Sequence, residues 1–150
     1  MKIIEYSRVY RLSFKKLNEE WLEKYFNVEP YDSTLLENCE SEIINKGGYI
    51  FFGIIDDEVM GTYALLPPVN GRTELGKMAV TESYQGKGYG QQLLKHALST
   101  AKSLGIKEIF LFSNRILKNS IYIYKKFGFK EVENVDSPYK RGNIKMLAKL

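Results

Sequence analysis

Gln85-Gly86-Lys87-Gly88-Tyr89-Gly90 follows a run of strand formers, Arg72 to Val80, and opens directly into a helical pattern. Alternating glycines let the backbone turn tightly and bring several N–H groups to bear on one point at a helix N-terminus, which makes a cradle for a pyrophosphate. Lys87 adds a charge at the rim. The spacing disfavours two other phosphate turns. A P-loop needs Ser or Thr after its Gly-Lys, and neither follows here. A Rossmann site needs Gly-x-Gly-x-x-Gly in a first βα unit and an acid at the end of the next strand; this turn is Gly-x-Gly-x-Gly after an antiparallel run, and Glu108 stands at the wrong end of its strand. A plain flexible turn is the other reading of these glycines taken alone.

Downstream, Gly88 to Leu104 carries Leu93, Leu94, Ala97, Leu98, Ala101 and Leu104 on one helical face and stops at Gly105. Lys107 to Ser113 reads as a strand covered on both faces, Asn119 to Lys126 as a helix ending at Gly128, and Phe129 to Glu133 and Asn143 to Leu147 as a closing pair of strands. Upstream, Tyr49 to Ile55 and Val59 to Leu66 form a hairpin across Asp56-Asp57-Glu58, and Asn70-Gly71 turns the chain into the strand before the glycines. Lys2 to Ser7 is a short first strand, and Arg11 to Phe26 an amphipathic helix. A second helix follows Pro30, with Asp32 or Ser33 as its N-cap and Gly47-Gly48 as its stop. The order is β-α-α-β-β-β-α-β-α-β-β, an α/β (α+β) mixed sheet with helices on its faces.

The chain has 150 residues, 44% of them hydrophobic, and no internal repeat or linker, so a single domain over 1–150 is expected. No apolar run reaches a membrane span, no signal peptide opens the chain, and a soluble cytoplasmic protein with no membrane partner is expected. One cysteine, Cys39, and one histidine, His96, provide neither a disulfide nor a zinc set, so no metal is expected. Cys39 reads as a small packing residue and His96 as a solvent-flank residue of its helix. The 22 Lys and Arg against 18 Asp and Glu give a charge of +4, too mild and dispersed for a nucleic-acid partner.

Gln85-Gly86-Lys87-Gly88-Tyr89-Gly90 resembles the Gln/Arg-x-x-Gly-x-Gly/Ala signature of the GNAT superfamily of N-acetyltransferases, and Lys77-Met78-Ala79-Val80 resembles the family's fourth strand. A second block, Asn119-Ser120-Ile121-Tyr122-Ile123-Tyr124-Lys125-Lys126-Phe127-Gly128-Phe129, resembles its Asn-x-x-x-x-Tyr-x-x-x-Gly-Phe helix and strand. Ser120 departs from the commoner alanine and Lys125 from the usual acid. The element order agrees with the GNAT acyl-CoA N-acyltransferase fold over essentially the whole chain, least informatively over Met1 to Pro30.

The resemblance implies an acyltransferase that moves an acetyl group from acetyl-CoA to a primary amine, small molecule or peptide, by direct transfer through a ternary complex; a non-catalytic acyl-CoA sensor of the same fold is the alternative. It implies coenzyme A contacts at Met78, Ala79, Val80, Gln85, Gly86, Lys87, Gly88, Tyr89, Gly90, Gln91, Asn119, Tyr124 and Lys126. It implies, too, that backbone N–H groups near Ala79 and Val80 face the acetyl carbonyl. Glu74 matches a general-base glutamate of one branch of the family, with an exposed strand residue as its bland reading. Tyr124, a phenol protonated at neutral pH, matches the general acid that meets the departing thiolate, with simple packing as its bland reading. Asn119 is equally explained as an N-cap. Trp21, Tyr25 and Tyr31 fall in the part of the chain that borders the acceptor in the family, and a homodimer is an assembly the family often forms.

Overall fold

The computed structural model describes residues 1–150, and it is built on one seven-stranded sheet of order β1-β2-β3-β4-β5-β7-β6. Strands β1 (Lys2–Glu5), β2 (Tyr49–Ile55), β3 (Glu58–Leu65) and β4 (Thr73–Val80) pair antiparallel in succession, and β4 meets the next strand in parallel. The hairpin between β2 and β3 turns on Asp56 and Asp57 at φ 51° and 63°, the left-handed pair that matches a two-residue loop to the twist of its strands. Beyond the helix that follows β4, β5 (Glu108–Ser113) pairs antiparallel with β7 (Ile144–Lys149), and β6 (Lys130–Val132) forms the edge.

Period-two side chains divide the sheet into two cores. Ile50, Phe52, Ala64 and Leu66 point toward α1 (Arg11–Tyr25), α2 (Pro30–Glu37) and α3 (Cys39–Glu42), where Phe14, Leu22, Leu36 and Cys39 close over them. Phe51, Tyr63, Leu65, Leu75 and Ile109 point the other way, under Leu94, Ala97 and Ala101 of α4 (Tyr89–Ser103). The last helix, α5 (Lys118–Lys126), packs Ile121, Ile123 and Tyr124 beside that second core.

Most expected elements are present, and the differences have physical reasons. The second helix starts at Pro30, with Glu29 as N-cap and Asp32 at the third helical position, so neither Asp32 nor Ser33 caps it. Asp32 accepts from the Glu29 N–H and is otherwise drawn inward by two cations. The helical stretch also breaks at Asn38 and resumes as α3, reaching Gly47, at φ 92°, through a 3-10 turn. Strand β7 continues to Lys149, beyond the expected end, because Ala148 is buried opposite Ile109. His96 is not a solvent-flank residue: its Nδ1 lies 2.8 Å from the hydroxyl of the fully buried Tyr63, and its ring meets Phe51 edge-on. A buried tyrosine hydroxyl needs a hydrogen-bond partner, and His96 supplies it. Cys39 is a packing residue, fully buried.

Candidate functional site

Strands β4 and β5 are hydrogen-bonded partners only at Thr73 with Ile109 and Glu74 with Phe110. Beyond Glu74, β4 stays with β3 while β5 stays with β7, so the two parallel neighbours splay apart. The splay leaves one edge of β4 from Gly76 to Val80 without a strand partner, and backbone groups there are open to a ligand apart from the Val80 carbonyl, which accepts from the Gln85 side chain at 2.9 Å. Register between β3 and β4 slips between Thr62 and Ala64. The extra β4 residue is accommodated with Lys77 at φ 53°, a left-handed conformation costly for a side-chain-bearing residue.

The far end of the splay meets the turn into α4. Gly86 and Gly88 have φ 74° and 84°, and a Cβ added at Gly86, Gly88 or Gly90 would meet nothing within 4 Å. The glycines therefore serve conformation and access rather than tight packing. Six consecutive amides, Gly86 to Gln91, donate to no acceptor in the chain, whereas Gln92 already bonds to the Gly88 carbonyl. Six aimed donors at the positive end of a 15-residue helix suit a diphosphate. A groove of about 700 Å³ runs from this turn along Met78, Ala79 and Val80 to α5, with Lys118 and Lys126 in its wall. Its volume and the unpaired amides at one end suit a nucleotide-bearing coenzyme such as coenzyme A.

The groove adjoins a smaller cavity of about 100 Å³, and Trp21, Met78 and Tyr124 line both. Tyr124 packs edge-on against Phe129, and its hydroxyl has no partner in the chain. Burial pushes its pKa up to about 12, so it is protonated across the neutral range. Glu74 lies on the other wall. Its carboxylate folds over Gly76, where a Cβ would come within 3.2 Å of Oε2, and it accepts a 3.2 Å hydrogen bond from the Tyr139 hydroxyl. Burial pushes the Glu74 pKa up to about 7, against the opposing pull of the Lys77 charge and the Tyr139 hydrogen bond. A carboxyl group with a pKa near the working pH is suited to exchange protons there.

Behind Glu74 is a buried ionic network. Lys77 Nζ donates to Asp32, and the Arg141 guanidinium forks onto both Asp32 oxygens at 2.6 and 2.8 Å. Arg141 also reaches Glu29 at 3.2 Å, and the Lys140 and Arg141 amides donate to the same Glu29 carboxylate. The Tyr139 ring is in contact with both cations, at 4.6 Å from Lys77 and 4.5 Å from Arg141. Burial raises the Asp32 pKa, but the Arg141 hydrogen bonds and the Lys77 charge outweigh it, and Asp32 stays ionised below the usual carboxylate range. The network ties the N-terminus of α2 to the β6–β7 connection and fixes the left-handed Lys77 between them.

A family model described as Acetyltransferase (GNAT) family matches residues 11–129. The chain belongs to the GNAT acetyltransferase family. The chain is 30% identical over 131 residues to the uncharacterized N-acetyltransferase YvbK of Bacillus subtilis strain 168, covering 85% of this chain and 83% of that one. It is 25% identical over 127 residues to the [ribosomal protein bS18]-alanine N-acetyltransferase of Haemophilus influenzae, covering 85% and 82%. A GNAT acetyltransferase crystal structure from Staphylococcus aureus Mu50 superposes with a TM-score of 0.87 at 26% identity, over 99% of this chain and 98% of that one. The mixed α/β sheet is thus the GNAT fold, and the protein is an acyl-CoA-dependent N-acetyltransferase. No helix in this GNAT chain is long and apolar enough to cross a membrane.

Among the expected contacts of this acetyltransferase, Met78, Ala79, Val80, Gln85, Gly86, Gly88, Gly90, Gln91, Asn119, Tyr124 and Lys126 line the groove, and Lys87 and Tyr89 do not. Lys87 lies over the Tyr84 ring instead, and Tyr89 packs on the same ring. Asn119 is inside α5, whose N-cap is Leu117, so capping does not explain it. Trp21 lines both cavities and Tyr25 the groove alone. Tyr31 lines neither; it stacks at 5.5 Å on Tyr139. Sequence reasoning missed Tyr139, Arg141 and the pairing of Lys77 with Asp32. Lysine within an otherwise apolar strand end was the only local signal for that pair.

Proposed function

We propose that this GNAT chain transfers an acetyl group directly to a primary amine in a ternary complex, as one domain spanning residues 1–150. The reading is supported most by one observation: Glu74 and Tyr124 face a single small cavity that adjoins, at the gap between β4 and β5, the groove ending at the six free amides. Acetyl-CoA, when bound, supplies the acyl carbon and a thiol leaving group. The amides of Gly86 to Gln91 hold the diphosphate, and the unpaired β4 edge at Met78 to Val80 holds the acyl end. Backbone donors fixed before binding stabilise a carbonyl oxygen that is gaining negative charge without reorganising.

Glu74 takes the proton from the acceptor ammonium. With a pKa near 7 it is largely ionised at slightly alkaline pH, and the acceptor's own basicity makes contact or one bridging water a requirement. Tyr124 gives its proton to the departing thiolate; a buried phenol is a donor at any pH where the amine reacts. Direct transfer is favoured over an acyl-cysteine route because Cys39, the sole cysteine, is fully buried among Phe14, Leu36 and Phe52 and lines neither cavity. The protein alanine acceptor in the name of the Haemophilus influenzae relative is compatible with a cavity that receives a slim amine end.

Titration calorimetry with coenzyme A, followed by thiol release from acetyl-CoA across an amine panel, tests the reading. Saturable binding, turnover that requires both substrates, and no exchange of labelled coenzyme A into acetyl-CoA without amine are the expected results. Binding without turnover of any amine, or exchange without amine, overturns it.

A further inference from the structure

We propose that the acceptor is a primary amine with no carboxylate on the carbon bearing its nitrogen, and that free α-amino acids are refused. This deepens the preceding reading and rests on Glu74 meeting the acceptor nitrogen. Three titratable groups other than tyrosine line the inner cavity: Glu74, Lys77 and Arg141. Both cations are already committed. Lys77 is paired with Asp32 and Arg141 with Asp32 and Glu29, and their side chains are only 3% and 15% exposed. Lys145, on β7 beneath, is held by both oxygens of Asp136. Glu74 has no cation within ion-pair distance and only the Tyr139 hydroxyl as donor.

Counted over the cluster behind the cavity, Lys77 and Arg141 are cancelled by Asp32 and Glu29, and an ionised Glu74 leaves the cluster one negative charge in excess. An ammonium group satisfies that excess. An α-carboxylate, two bonds from the nitrogen, would be drawn in beside Glu74 with no free cation to meet it. Drawing one toward it would divide its charge between the new carboxylate and Asp32 or Glu29, weakening a buried ion pair that is already balanced. Like charges forced together at a binding surface cost several kcal/mol, so discrimination of about 100-fold or more between an amine and its carboxylate counterpart is expected. An uncharged amide in place of the carboxylate carries no such penalty, which leaves peptide N-termini and simple amines as the admitted class.

Matched sets that share one side chain test this: leucine, its near-isosteric amide leucinamide, and 3-methylbutylamine, which lacks the carboxyl group, with alanine, alaninamide and ethylamine as the smaller set. Thiol release is measured at several pH values, each rate corrected to its free-amine fraction. Binding to the coenzyme-A-loaded protein is measured in parallel by ligand-observed NMR. The expected result is that amide and amine exceed the acid by about 100-fold in kcat/KM or affinity, and that Glu74→Gln reduces the ratio in affinity below about 10-fold. Acids that equal their amides, a ratio unchanged in Glu74→Gln, or no binding by any amide or amine each overturn the proposal. If no compound is turned over but the binding order holds, the catalytic reading fails while the charge selection stands.

Discussion

The two ends of the proposed site, one assigned above to the coenzyme and the other to the acceptor, are made of different materials. At the coenzyme end, the turn from Gly86 to Gln91 offers backbone amides, and its side chains mostly point elsewhere: Lys87 rests on Tyr84 and the three glycines have none. At the acceptor end, the groups that matter are side chains brought from α2, β4 and the β6–β7 connection, with sequence separations of 45 between Asp32 and Lys77 and 109 between Asp32 and Arg141. Amides are common to every residue, so the coenzyme end tolerates substitution as long as the backbone can turn. The acceptor end depends on specific partners being present together, and removing one leaves a buried charge exposed to its neighbours.

That contrast breaks most sharply at Asp32. Asp32→Ala strands Lys77 and Arg141 together in the interior, and a loss of about 3–5 kcal/mol is expected in urea denaturation; a loss below about 1 kcal/mol would mean the network is dispensable. Tyr124→Phe is next, with kcat reduced about 100-fold and coenzyme A affinity within about twofold of wild type by calorimetry. Gly88→Val tests the opposite end: a β-branched residue at φ 84° distorts the turn, so coenzyme A binds about tenfold more weakly while the acceptor KM is unchanged.

Glu74 gives a smaller effect with a defined sign. Its pKa is about 7 in the folded chain against 4.5 for an ordinary glutamate, so the folded state holds the extra proton between those values. The stability it contributes is fully present below pH 4.5 and is lost as pH rises through 7. Glu74→Gln removes this dependence, and its melting temperature relative to wild type is expected to rise by about 3 °C or more from pH 4 to pH 8. The acid limb of kcat/KM near pH 7 should vanish in the same variant. Smallest of all, Lys87→Ala should change coenzyme A affinity by less than about threefold, since an exposed charge outside the groove adds little.

The same contrast explains what could be read from the chain beforehand. Turn glycines, hairpin aspartates and helix faces are local patterns, and the strands and both long amphipathic helices were legible from them; Tyr124 was singled out by the resemblance of its block to the GNAT family, not by a local pattern. Asp32 was misassigned as a cap because its local setting, just after Pro30 at a helix start, is that of a capping residue. Its actual partners lie on other elements, and no pattern within a window of sequence contains them. Tyr139 and Arg141 sit in a polar connection, Asp136-Ser137-Pro138-Tyr139-Lys140-Arg141, whose composition reads as an ordinary surface loop. The slipped register at Lys77 was equally hidden, because a β-bulge is set by the partner strand as much as by its own residues.

The Glu29 carboxylate, which accepts from the amides of Lys140 and Arg141, gives that loop an unusual time constant. Loop amides ordinarily exchange their hydrogens by small local openings. Here both donors are bonded to a residue at the start of α2, so deuterium uptake at Lys140 and Arg141 should be slower than at unbonded loop amides, and slower at the part-buried Arg141 than at the exposed Lys140. That wall of the cavity is thus held by residues more than 100 positions apart, and closing it waits on the pairing of two distant parts of the chain.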